Sequence, residues 1–80
     1  MTKEEQRLLL QAEKLTILGK MVEQERSILA DLAARGVAYT TPKMVSALKR
    51  FEKYDTAWKA LEIEHILLKK RLAHQANNTK

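Results

Sequence analysis

The sequence predicts an all-α fold: an antiparallel two-helix hairpin. Three observations lead there. The first is an apolar series, Met44, Ala47, Phe51, Tyr54, Trp58, Leu61, His65, Leu68 and Leu72, spaced alternately by three and four residues with His65 as its single polar or charged member. Such a heptad seam belongs to a helix buried against another helix. The second is a matching series in the first half: Leu8, Leu15, Leu18, Val22, Leu29 and Leu32, interrupted at Gln11 and Glu25. The third is the punctuation between them, Gly36 and then Thr41-Pro42.

Taking the elements in order, Thr2 followed by Glu5 is a capping-box pattern that opens the first helix. That helix is expected over residues 3–35. Gly36 follows it as a C-terminal cap, because glycine tolerates the left-handed backbone. Gly19 lies inside the helix, where it costs about 1 kcal/mol relative to alanine; it marks a kink or a close helix crossing. Residues 37–40 form the loop. Thr41 is placed to cap the second helix, with Pro42 at its first position, where a missing N–H is harmless. The second helix is expected over 42–74. The remaining segment, 75–80, has no apolar anchor and is expected to be a disordered tail, leaving 1–74 as one helical domain.

Two helices of similar length joined by a short loop pack antiparallel. If Gly36 faces Thr41, the numbers of facing residues add to roughly 77 along the hairpin. Gln11 then falls opposite His65, so the polar interruptions of the two seams coincide and can hydrogen-bond in one layer. Glu25 falls opposite Phe51 and Glu52, within reach of Lys53. A matched polar pair sets register at some cost in stability.

The apolar residues outnumber what one hairpin can hide. Leu9, Leu10, Ile17, Met21 and Ile28 flank the first seam, and Ile63, Ile66 and Leu67 flank the second. Of these, Leu10, Ile17, Met21, Ile28, Ile63 and Leu67 are the candidate partner-binding residues. The simplest partner is a second copy, giving a homodimer and a four-helix bundle. The rival is a break near Gly19 that folds the chain into a three-helix monomer.

Composition narrows the function classes. There is no cysteine, which removes disulfides and thiolate metal sites. The first residues carry charges of both signs and do not resemble a signal peptide, and no apolar run approaches membrane-spanning length. A soluble cytoplasmic protein without membrane contact is expected. The net charge of +5 resides entirely in residues 41–80, because residues 1–40 hold six basic and six acidic side chains. Lys49, Arg50, Lys53, Lys59, Lys69, Lys70 and Arg71 are therefore candidate phosphate contacts for a basic nucleic-acid-binding dimer. Cations near a helix C-terminus also complement its dipole, which is the plainer account of Lys69, Lys70 and Arg71.

Catalytic apparatus is not visible in the sequence. Ser27 and Ser46 are isolated, and two glycines cannot build a phosphate-cradling loop. Glu62 and His65 have the Glu-x-x-His spacing of di-iron bundles, but Gln11, not a carboxylate, stands opposite. No metal and no cofactor are expected. The leading expectation is a non-enzymatic protein–protein interaction module: a regulator, inhibitor, chaperone or accessory subunit.

Two local resemblances add to this. The run Asp31-Leu32-Ala33-Ala34-Arg35-Gly36-Val37-Ala38-Tyr39 resembles a stretch of the theta subunit of bacterial DNA polymerase III, and Arg71-Leu72-Ala73 follows in nearly the family's spacing. Thr40-Thr41-Pro42 interrupts a helix that the family continues. The resemblance implies a non-enzymatic accessory subunit that steadies a proofreading exonuclease. Separately, Phe51-Glu52-Lys53-Tyr54-Asp55 is similar to the motif of the small hairpin phosphatases that act on sporulation response regulators. That likeness implies Asp55 as a catalytic residue.

Overall fold

The computed structural model describes residues 1–78 and contains two helices, α1 (Lys3–Ala34) and α2 (Pro42–Asn78), packed along each other as a helical hairpin. The molecule is a rod of 60 × 16 × 16 Å.

Each helix end has a local chemical cause. Thr2 caps α1: its hydroxyl accepts from the Glu5 backbone N–H at 3.1 Å and donates to the Glu5 carboxylate at 3.2 Å. The expected box is thus closed through the Thr2 hydroxyl. At the other end, Gly36 takes φ +76°. Its N–H donates to the Ala33 carbonyl at 3.0 Å, and the Val37 N–H donates to the Leu32 carbonyl at 3.1 Å. This is a Schellman motif, and Val37 packs against the cluster that contains Leu32, an apolar contact of the kind that often accompanies the motif. Thr41 then caps α2, accepting from the Met44 N–H at 3.4 Å and donating its hydroxyl proton to the Ala38 carbonyl at 2.8 Å. Pro42 occupies the first helical position.

All nine residues of the second seam are buried or half-buried, as are Leu8, Gln11, Leu15, Leu18, Val22, Glu25, Leu29 and Leu32 of the first. The tightest packing lies beside the turn, where Leu32, Met44 and Ala47 form a core covered by Leu29, Val37 and Leu48. Met44 and Ala47 are almost completely buried because the closed end of the hairpin covers them from three sides: two helices and the loop.

One rival arrangement is excluded and two expectations are revised. α1 runs unbroken through Gly19, so no three-helix monomer forms. Gly19 instead marks a close crossing: a Cβ built there would stand 3.4 Å from Trp58 Nε1. α2 continues to Asn78, four residues past its expected end. The start of α1 still lies alongside it there, since Thr2 and Lys3 share a surface recess with Leu72, Gln75 and Ala76. The rest of the expected disordered tail, Thr79 and Lys80, lies outside the described residues. Finally, Glu25 meets Arg50 at 3.2 Å and not Lys53. Arg50 directly flanks the seam, whereas Lys53 is turned further outward, its ammonium 6.0 Å from the Tyr54 ring centroid.

Candidate interaction face

The hairpin has two long sides, one on each flank of the buried seam. One side carries a regular stripe of the leftover apolar surface, while Leu9 and Ile66 are exposed on the opposite flank. On α1 it carries Leu10, Ile17, Met21 and Ile28, and the polar positions between them are Lys14 and Gln24. Their spacing of four, three, four, three and four residues repeats the interval of the buried seam. The stripe is therefore a second helical contact line, shifted around α1 from the first. Leu10 and Ile17 are more than half exposed, Ile28 is 38% exposed, and Met21 is half-buried. Met21 thus departs from the expectation of a free contact residue, because it sits immediately beside the seam and is partly covered by the hairpin itself.

On α2 the same side carries Leu67, which lines one open groove with Leu10. The antiparallel register brings them together across 57 positions of sequence. Ile63 does not join them. It is 59% exposed but lies on the outer surface of α2, one turn from Leu67 and pointing away from α1.

The groove of Leu10 and Leu67 is ringed by charge. Arg7, Lys14 and Arg71 line it with Glu64 as the one carboxylate among its described residues. None of these four makes an ion pair among the described residues. Arg7 and Lys14 were not singled out from the sequence, since the first half of the chain is neutral in sum. The signal that could have found them is the hairpin register itself, which puts Arg7 beside Arg71 and Lys14 beside Glu64. At the base of the groove lies Gln11, whose Oε1 accepts from His65 Nδ1 at 3.0 Å. Both side chains are buried, and an amide oxygen can only accept, so Nδ1 is the donor in this bond.

The cations proposed for nucleic acid do not gather on one face. At 100° per residue, Lys49, Arg50, Lys53, Lys59, Lys69, Lys70 and Arg71 are distributed around the whole circumference of α2. Arg50 is held by Glu25 and Lys59 by Asp55 at 2.9 Å. Asp55, the residue implied by the phosphatase likeness, is thereby engaged in an (i, i+4) pair. The Phe51 ring of the aromatic cluster is covered by Arg26, 5.9 Å from its centroid, and Tyr54 and Trp58 are half-buried, so these rings belong to the hairpin core.

Among the described residues, no three His, Cys, Asp or Glu side chains converge as metal ligands, and no helix is long and apolar enough to cross a membrane. No family model, curated protein or solved structure matches the chain.

Proposed function

We propose that this chain is a small non-enzymatic interaction module that works by packing the stripe of Leu10, Ile17, Met21 and Ile28, together with Leu67, against helices of another chain. The observation that carries this reading is the heptad spacing of a second, largely exposed apolar line on a hairpin whose first line is already satisfied. Size supports it. The accessible surface is 6306 Å², against about 4,900 Å² for a compact monomer of this mass. The radius of gyration is 17.9 Å, against about 12 Å for a compact domain of this length. A rod two helices wide leaves apolar surface that bundles of three or four helices would bury.

The accessory-subunit implication of the 31–39 resemblance points the same way. Part of that resemblance has a local cause, however, because Asp31 to Val37 spell out a helix end, an Asp31–Arg35 pair at 3.1 Å and a glycine cap. The nucleic-acid and phosphatase readings receive less support, since their residues are dispersed or already paired.

The test is affinity capture by the tagged chain, with nuclease treatment and a salt series. Capture that survives both and is lost in Ile17→Glu/Ile28→Glu supports the module. Capture that vanishes with nuclease, or falls steeply with salt as phosphate contacts do, overturns it in favour of nucleic acid.

A further inference from the structure

We infer that the occupant of this face is a second copy of the chain, laid face to face and antiparallel so that α1 packs on α1 and α2 on α2. The inference rests on the reading of the stripe as a contact surface and adds its partner and register.

The α1 stripe reads alike from both ends. Arg7, Leu10, Lys14 and Ile17 precede a midpoint level with Gly19, and Met21, Gln24, Ile28 and Asp31 follow it at mirrored intervals. Two such helices crossing antiparallel at that midpoint match layer by layer. Leu10 meets Ile28 of the second copy, and Ile17 meets its Met21. Lys14 meets Gln24, and Arg7 meets Asp31, a residue whose present partner is the exposed Arg35. Opposite charge thus closes both ends of an apolar line.

The same axis suits α2 to within half a residue, with its midpoint between Trp58 and Lys59. Gly19 lies against Trp58, so the midpoint of α1 is also the level of Trp58. Antiparallel α2 helices centred there put Lys53 against Glu64 of the second copy. Ala57 meets Ala60, small residues that allow close approach beside the bulkier Ile17–Met21 layer. Leu67 meets the aliphatic stem of Arg50.

One other face-to-face arrangement is possible, with α1 over α2 of the second copy. It pairs Leu10 with Leu67 and Lys14 with Glu64, but it sets Arg7 against Arg71, twice by symmetry. The α1-on-α1 arrangement has opposite charges in contact at two places per copy and like charges at none, and this difference selects it. The long side of a rod 60 Å by 16 Å is of the size that a standard interface of about 800 Å² per partner requires.

Sedimentation and disulfide trapping test the proposal. The chain lacks cysteine, so introduced thiols report alone. Wild type is expected to sediment as a dimer at micromolar concentration. Ile17→Glu/Ile28→Glu is expected to be monomeric, with its helicity checked by circular dichroism, and Ile63→Glu on the outer surface is expected to remain dimeric. Leu10→Cys and Ile28→Cys chains refolded together should form a mixed disulfide. Neither should link to itself, because identical positions stand about 27 Å apart along antiparallel helices.

A Leu10→Cys to Leu67→Cys link in place of the Leu10–Ile28 link would overturn the register. Wild type that is monomeric at every concentration would overturn the second copy as occupant. If such a monomer still captured another protein in the salt-resistant way described above, the interaction-module reading would stand without this inference. If it captured nothing, both would fall.

Discussion

His65 and Gln11 are joined across the hairpin by a buried hydrogen bond of 3.0 Å between His65 Nδ1 and Gln11 Oε1. They are the buried polar residues of the two facing seams, and each satisfies the other where water is excluded. The pair therefore acts on alignment more than on stability: any slide of α2 along α1 would bury two unpaired polar groups.

Replacing Gln11 alone tests that role. Gln11→Leu leaves the His65 N–H without its acceptor and should cost about 1–3 kcal/mol. Gln11→Leu/His65→Leu should recover most or all of the loss while weakening the register. Urea denaturation of the two single variants and the double variant measures the coupling. Simple additivity of the single effects would deny the pair its role. Protein concentration must be held constant, because self-association would add to apparent stability.

Gly19 should respond to size. A methyl group at that position would rest at 3.4 Å from Trp58 Nε1, ordinary van der Waals contact, while alanine improves helix propensity by about 1 kcal/mol. Gly19→Ala is expected to stabilise the hairpin, and Gly19→Leu to destabilise it by forcing Trp58 aside. Thermal melts of both variants, with tryptophan fluorescence as a local probe, decide the sign.

Gly36, by contrast, should be destabilised by a Cβ because of its backbone. No atom crowds it, yet its φ of +76° is strained for an L side chain. Gly36→Ala is expected to cost about 1–2 kcal/mol, and Gly36→Asn less. Chemical denaturation compares them; equal stability of all three would mean that the Schellman turn is not required.

Thr41 carries the start of α2. Thr41→Ala removes the acceptor for the Met44 N–H and the donor to the Ala38 carbonyl, and should cost about 1 kcal/mol. Thr41→Asp or Thr41→Asn should retain most of it. Amide exchange at Met44 reports the effect at the site, where faster exchange in Thr41→Ala is the expected result.

Much of this architecture was legible in the sequence because its causes are local or periodic. Thr2, Gly36, Thr41 and Pro42 act within a few residues of themselves, and the heptad spacing of both seams follows from helical geometry alone. Even the Gln11–His65 rung could be read, because a short turn leaves little freedom in how two helices align.

What the tertiary structure decided is everything that depends on the sides of the seam. Sequence separation does not say whether Arg7 and Arg71, or Leu10 and Leu67, share a flank; that follows from the handed, antiparallel packing of two helices. The same packing assigned Glu25 to Arg50, turned Ile63 to the outer surface and half-covered Met21. Composition counted the surplus apolar residues and the excess of cations. Only the folded hairpin sorted them, drawing one apolar stripe and a mixed set of charges onto the same face and dispersing the remaining cations around α2.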